Sequence, residues 1–428
     1  MSVLLDRILD QENINLALKR VKANKGSGGI DNITIEEIDD YMLANWGSIK
    51  KQIQERTYKP QPVRRVEIPK PNGGVRNLGI PTIIDRVIEQ AITQILSPIC
   101  EPHFSDYSYG FRPNRSCEQA IIRLLDLFND GFIWVVDIDL EKFFDNVPQD
   151  RLMSLVHNMI NDGDTESLIR KYLQAGVMVN GQIEKSNLGT PQGGNLSPLL
   201  SNIMLNELDK ELESRNLNFV RYADDCIIVV KSHASANRVI HSITDWIERK
   251  LGLKVNMTKT RITTPNKLKY LGFGFWKDSR DSKYKARPHE DSILKFKRTL
   301  KKLCERKWSV DLSSRISKLN EVIRGWINYF ALGFMKRILE KEIDPHLRTM
   351  LRIIIWKQWK VPSKREWGLK KLGIDKDLAR QTAYMGNKYM WIVTRTCIFR
   401  AISKEKLTKK GLVSCLDYYL QRHALKVS

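Results

Sequence analysis

The sequence predicts an α+β fold in which a small carboxylate-bearing sheet is followed by an all-helical, strongly basic region. Three observations lead there. Ile133-Trp134-Val135-Val136-Asp137-Ile138-Asp139 is an apolar run of strand length that ends in acids. About 85 residues later, Asn218-Phe219-Val220 and Cys226-Ile227-Ile228-Val229-Val230 flank Tyr222-Ala223-Asp224-Asp225, the pattern of a tight β-hairpin with paired carboxylates at its tip. Helical stretches between and after these runs give the order strand–helix–strand–strand–helix–strand, which matches a split βαβ, ferredoxin-like unit.

The elements follow in order. Residues 1 to about 55 read as helical, broken by Lys25-Gly26-Ser27-Gly28-Gly29, with a helix start at Thr34 followed by acids. Residues 60–70 alternate like an edge strand, because their prolines disfavour a central place. Asn72-Gly73-Gly74 is a hairpin turn that folds Val75–Ile80 back on that strand. Residues 82–100 and 116–129 carry helical periodicity, the second with Ser116 as its cap. Residues 149–175, 196–214 and 234–251 read as helices, and short strands are expected near 253–256, 260–264, 268–275 and 283–287. The run Ser292–Arg306 gathers Ile293, Phe296, Leu300 and Leu303 on one face, and Ser314–Phe330 does the same with Ile316, Leu319, Ile323, Trp326 and Ile327. A third helical run covers about 335–359, Pro362-Ser363 breaks it, and residues 364–428 form a small basic tail.

The chain of 428 residues is long enough for two or more domains with real cores. Its net charge of +22 is unevenly spread. From Lys285 to Ser428 there are 34 Lys+Arg against 13 Asp+Glu, while residues 1–284 hold 37 against 36. So concentrated an excess, interleaved with Trp326, Tyr329, Trp356, Trp367 and Trp391, is the footprint of a polyanionic partner rather than of a merely solvated surface. No window approaches about 18 uninterrupted apolar residues, so no membrane partner is expected. The N-terminus does not read as a secretory signal. Six scattered cysteines without a C-x-x-C pair argue against zinc ribbons and disulfides and suit a cytoplasmic protein with reduced thiols.

Two strands that deliver acids to one place can hold paired divalent cations for phosphoryl transfer. If the strand ending at Asp139 neighbours the 218–230 hairpin, the chain is a nucleotidyl transferase. Asp139 and Asp224, with the backbone carbonyl near Ile138, would hold two Mg²⁺ ions, with Mn²⁺ as an alternative. Asp137 points to the same strand face as Asp139, and of the two one reaches metal while the other caps or pairs. Asp145 reads as a helix-capping acid. Lys70 and Arg76 flank the 72–74 turn, where cations either close over a triphosphate or simply decorate a basic hairpin. Gly189-Thr190-Pro191-Gln192-Gly193-Gly194 opens a helix and lets backbone approach a flat ligand, with Gln192 offering donor and acceptor. Arg112, in Tyr109–Ser116, either touches template phosphates or stabilises a turn.

Together these residues resemble a group II intron-encoded reverse transcriptase/maturase of bacterial type. Val135–Asp145 looks like polymerase motif A. Pro191–Gly194 with Ser197–Asn202 looks like motif B, and Tyr222–Asp225 like motif C. Leu253–Thr260 and Tyr270-Leu271-Gly272-Phe273 are similar to motif D and the primer grip, and Gly325–Phe330 to the maturase thumb. The resemblance implies a right-hand polymerase: fingers with an N-terminal extension at 1–110, palm at 111–284, an all-α thumb (maturase X) at 285–362 and a basic DNA-binding domain at 363–428. It implies Asp139, Asp224 and Asp225 as catalytic, metal-binding carboxylates. Lys70, Arg76, Gln192 and Gly193 would bind nucleotide, Phe144 would be a steric gate against the ribose 2′-hydroxyl, and Lys259 a proton donor to pyrophosphate. The implied partners are the intron RNA, an RNA template with DNA primer, dNTPs and target DNA, with a homodimer allowed. Paired cysteines and histidines for an endonuclease domain are not found after residue 346, so second-strand cleavage in cis is not expected. A splicing-only RNA-binding protein with a dead polymerase fold, and a retron or diversity-generating reverse transcriptase, are the rival readings.

Overall fold

In the computed structural model the alternating run after Pro62 forms strand β1 (Val63–Pro69), which pairs antiparallel with β2 (Val75–Ile80) from Arg64↔Ile80 to Pro69↔Val75. The structure describes residues 2–427 except 70–72, 180, 185–186 and 192, and of Arg76 and Val427 the backbone only. It divides into two compact units, Met1–Thr264 and Pro265–Ser428.

In the first unit the remaining strands are β3 (Trp134–Ile138), β4 (Val177–Val179), β5 (Gln182–Glu184), β6 (Asn218–Tyr222), β7 (Asp225–Val230) and β8 (Arg261–Thr263). One sheet has the order β6-β7-β3-β8 with every pair antiparallel, the arrangement expected of a split βαβ unit. The other has the order β2-β1-β4-β5. β1 is therefore internal and not an edge. Pro60 and Pro62 precede it, Pro69 ends it, and its parallel pairing with β4 is confined to Val63 and Arg64, so no proline faces that ladder.

The helix Ile83–Cys100 starts where Thr82 accepts the Asp85 amide, and it is buried on nearly every turn. The helix Ser197–Ser214 is likewise buried almost all round, from Ser197 to Leu212, as a central core helix must be. The helix Cys117–Asn129 carries the expected Ser116 cap, completed by Gln119 into a reciprocal capping box.

Several local expectations are corrected. The stretch 149–175 is two helices, Gln149–Ile160 and Gly163–Gln174, because Asn161 turns left-handed (φ 44°) and Asp162 caps Thr165. The first long helix after the Gly-rich break begins at Ile38, although the Thr34 amide and hydroxyl do meet Glu37. Residues 253–256 form no strand; a single bridge joins Val255 to Leu140. The hairpin β4–β5 was not expected at all.

In the second unit β9 (Lys269–Tyr270), β10 (Phe273–Lys277) and β11 (Tyr284–Pro288) make an antiparallel sheet. The turn at Leu271-Gly272 is held by Tyr329, whose hydroxyl donates to the Leu271 carbonyl (2.9 Å), and by Ser292, which donates to the Gly272 carbonyl (2.8 Å). The helix Leu312–Phe330 buries Ile316, Leu319, Ile323 and Ile327, and its Trp326 stacks on Phe296 at 4.3 Å. The C-terminal helix Cys415–Val427 lies back on it: Tyr418 and Arg422 donate to Asn328, and Asp344 accepts the Cys415 and Leu416 amides.

Not all of the basic excess here faces outward. Arg315, Arg352 and Arg365 are buried and donate to main-chain carbonyls, Arg365 to those of Trp359 and Gly386 and Arg352 to that of Ile402. Burial lowers the pKa of Arg352 to about 10. Among the described residues no helix is long and apolar enough to cross a membrane.

Candidate active site

The acids meet at one end of the β6-β7-β3-β8 sheet. Ile138 stands opposite Cys226 and Tyr222 opposite Asp225, so Asp139 leaves β3 beside the β6–β7 turn while Asp225 opens β7. Ala223 and Asp224 make the turn between them. Ala223 sits at φ 57°, a left-handed conformation that costs an L-residue about 1–2 kcal/mol. Something must hold it there.

That support lies directly beneath. Arg221 and Asp209 are both fully buried (0% exposed) and form a bidentate pair, Nε to Oδ1 at 2.7 Å and Nη2 to Oδ2 at 2.5 Å. The remaining nitrogen, Nη1, donates to the Ala223 carbonyl (2.8 Å) and to Asn202 (3.2 Å). Asn202 in turn donates to the Gly110 carbonyl at 2.9 Å. A Cβ on Gly110 would overlap the Ala223 backbone, so only glycine admits this approach. The chain from Tyr107 to Tyr109 also bonds the Arg221 main chain on both sides. The Tyr109–Ser116 turn is thus a structural buttress. Arg112 is buried, pairs with Glu101 at 2.8 Å and donates to the Ser108 carbonyl, which leaves no free guanidinium for a phosphate.

Asp139 is held by the segment Asn256–Thr260 that leads into β8. Its amide donates to Thr260 (3.1 Å), its carbonyl accepts the Asn256 amide (2.8 Å), and both carboxylate oxygens meet the Lys259 ammonium, at 3.1 and 3.2 Å. Asp137, on the same strand face, pairs with Arg261 at 3.5 Å. The residue Asp225 is exposed, yet crowding by protein around its carboxyl, then the negative charges of Asp224, Asp137 and Asp139, raise its pKa to about 6 against the pull of Lys259. Burial likewise raises Asp137, opposed by Arg261. The charges of Asp224, Asp137 and Asp139 thus all act on the Asp225 carboxyl. Their donor atoms are all oxygen, the chemistry of a hard divalent cation. Among the described residues no three ligand-type side chains stand close enough to chelate an ion as they are, and Asp139 is engaged by Lys259. Ile138 is buried within the β3–β7 ladder.

Phe144 packs edge-on against buried Phe143 (5.2 Å) and lines a cleft of about 230 Å³ with Arg65, Asn77, Asp145, Thr190 and Pro191. Asp145 lies in the first turn of the short helix Phe143–Asn146 and does not cap it. Gly193 adopts φ 122° against β2, where a Cβ would strike the Gly79 carbonyl. Arg76 sits on β2 opposite Ile68; its side chain, and all of Lys70 and Gln192, lie outside the described residues. Neither Arg221 nor Asp209 is singled out by the sequence, and Thr260 enters there only as the end of the motif D-like stretch Leu253–Thr260. The one available signal was an arginine inside an otherwise apolar strand.

Breaking a buried pair leaves an uncompensated charge. Arg221→Met should cost about 3–5 kcal/mol in urea unfolding, and Arg221→Met with Asp209→Leu should recover much of that. A single-variant cost under about 1 kcal/mol would mean the pair does not support the turn.

Comparison with known proteins finds a family match in each unit. Residues 68–275 match the reverse transcriptase (RNA-dependent DNA polymerase) family, and residues 293–373 match the group II intron, maturase-specific domain. Protein YkfC of Escherichia coli (strain K12) is 32% identical over 303 residues, covering 61% of this chain and 80% of that protein. A putative COX1/OXI3 intron 2 protein of Saccharomyces cerevisiae is 30% identical over 81% of this chain and 47% of its own length. The group II intron-encoded protein LtrA of Lactococcus lactis subsp. cremoris is 38% identical over 231 residues, 53% of this chain and 38% of LtrA. The matches therefore span less than half of these two intron-encoded relatives. With a reverse transcriptase domain followed by a maturase-specific domain, the chain belongs to the reverse transcriptase/maturase family of group II introns.

Proposed function

We propose that the chain synthesises DNA on an RNA template and also binds its group II intron RNA, assisting splicing and retrohoming into target DNA. The observation that carries the polymerase reading is the meeting of Asp139 with Asp224 and Asp225 at the ends of adjacent antiparallel strands, where burial and then the neighbouring acids raise the Asp225 carboxyl. Reverse transcriptases work with divalent metal ions. Here Asp139, Asp224, Asp225 and the Ile138 carbonyl would hold two Mg²⁺, or Mn²⁺ in their place. When bound, the ions would activate the primer 3′-hydroxyl and stabilise the charge on pyrophosphate. That Asp139 already holds a cation, the Lys259 ammonium, supports this assignment.

The chain's own groups do the rest. Lys70 and Arg76 hold the triphosphate, Gln192 and Gly193 form the floor of the nucleotide pocket, and the Phe144 ring fills the space a ribose 2′-hydroxyl would need. Lys259, close to the acids, donates a proton to departing pyrophosphate. We assign residues 1–110 to fingers, 111–284 to palm, 285–362 to thumb and 363–428 to DNA binding. The basic surface of the second unit grips structured RNA by phosphate and shape, a role favoured by the maturase-specific match at 293–373.

The two activities should separate. Asp224→Ala should abolish cDNA synthesis in primer extension with Mg²⁺, by at least about 10³-fold, and leave intron RNA binding within about threefold. Phe144→Ala in the same assay should raise ribonucleotide incorporation. Parallel loss of synthesis and RNA binding would refute the separation, and unchanged sugar selectivity would remove the gate.

Acidity gives a second test. The Asp225 carboxyl is raised to about 6 from 3.8, so the folded, metal-free protein binds its proton more tightly than the unfolded chain does. This group's contribution to stability therefore falls as pH rises from about 4 to 6. Asp225→Asn removes that dependence and should raise the melting temperature of metal-free protein at pH 7 by roughly a few degrees more than at pH 4. An equal effect at both pH values would contradict the coupling.

A further inference from the structure

The helix Ile83–Cys100 grips the residue that ends the nucleotide-pocket loop. Glu89, 3% exposed, accepts the Asn195 amide at 2.6 Å, and the Leu196 amide also faces its carboxyl. One residue on, Gln90 accepts the Asn195 side-chain amide (3.1 Å). A turn later the Thr93 hydroxyl, which donates to the Glu89 carbonyl (2.8 Å), lies 3.3 Å from the Asn195 carbonyl. Asn195 is thus held at its main-chain amide and its side chain by a single helix. Gly194 lies against the same carboxyl: a Cβ there would stand 2.8 Å from Glu89 Oε2. The loop is pinned on its other side by β2, where Gly193 meets the Gly79 carbonyl.

We propose that Glu89 is a positioning residue for nucleotide binding, fixing the Gly193–Asn195 end of the loop against which the incoming dNTP would lie. The inference rests on the polymerase reading above. Glu89 touches neither substrate nor reacting atoms; it acts through Asn195. A carboxyl is needed there as an acceptor, not as a charge. Full burial, then the neighbouring Asp85, push its pKa up to about 8, opposed by the Asn195 and Leu196 amides and by Arg86. A neutral carbonyl oxygen serves the same amide, so glutamine should replace glutamate while alanine should not.

Two measurements on the full chain test this. In steady-state primer extension on a defined RNA template, Glu89→Ala should raise the dNTP KM about tenfold, the worth of one lost hydrogen bond to a buried amide, with kcat within about threefold. Glu89→Gln should restore the wild-type KM. In amide hydrogen exchange without substrate, protection across 193–196 should fall in Glu89→Ala and return in Glu89→Gln, while protection of the Ser197–Ser214 helix stays unchanged. Gln90→Ala, which leaves the buried carboxyl in place, covers the case of a poorly folded Glu89→Ala and should raise KM by a smaller factor. Unchanged KM in both alanine variants, failure of glutamine to rescue, or unaltered exchange at 193–196 would overturn the proposal. Absence of synthesis by the wild-type chain would instead overturn the polymerase reading, with the exchange result still deciding whether Glu89 holds the loop.

Discussion

The buried ion pair of Arg221 and Asp209 is the constraint on which the acidic site depends. The turn that carries Asp224 forces Ala223 into a conformation that alanine avoids, at the exposed end of a two-residue hairpin. A guanidinium that spends two nitrogens on Asp209 has one left, and it reaches the Ala223 carbonyl. Two buried charges are costly in themselves, and they are retained only where geometry is satisfied on every side. Here Asn202 and the Gly110 approach complete that satisfaction. The helix Ser197–Ser214, the Tyr107–Gly110 segment and β6 are thereby locked into one block beneath the carboxylates.

Above that block the electrostatics run the other way. Asp137 and Asp139 have cationic partners in Arg261 and Lys259, yet burial of the Asp225 carboxyl, and after it the charges of the neighbouring acids, move that group well up the pH scale. A site that holds acids together against their own repulsion is poised for a cation. The rigid support below and the repulsion above are complementary: without the first, the second would push the turn apart.

The strand before Asp139, the Asp224-Asp225 hairpin, the Ser116 cap and the Gly325–Phe330 helix were legible because each has a local pattern: a continuous apolar run ending in acids, a capping residue, or an apolar helical stripe. What escaped was non-local or unpatterned. Arg221 finds Asp209 across a helix–strand contact that no spacing rule marks. The β5 strand, Gln182–Glu184, is exposed at every position, so no alternation announces it. Lys259 and Thr260 act on Asp139 from the turn that leads into β8, a contact across 120 residues that no local pattern marks. Charge counting put the basic excess after Lys285, but it could not see that Arg315, Arg352 and Arg365 turn inward to bind carbonyls. Similarly, Glu89 looks like one more polar residue on a helix until its burial against Asn195 is known.

The most direct test of the central claim is anomalous diffraction from Mn²⁺ in crystals of the chain with RNA template, DNA primer and a non-reacting dNTP analogue. The account predicts metal peaks at coordination distance, about 2.0–2.2 Å, from carboxylate oxygens of both Asp139 and the Asp224-Asp225 turn, with Lys259 released from Asp139. A ternary complex with Lys259 still seated on Asp139 and no metal bridging the two strands would contradict it.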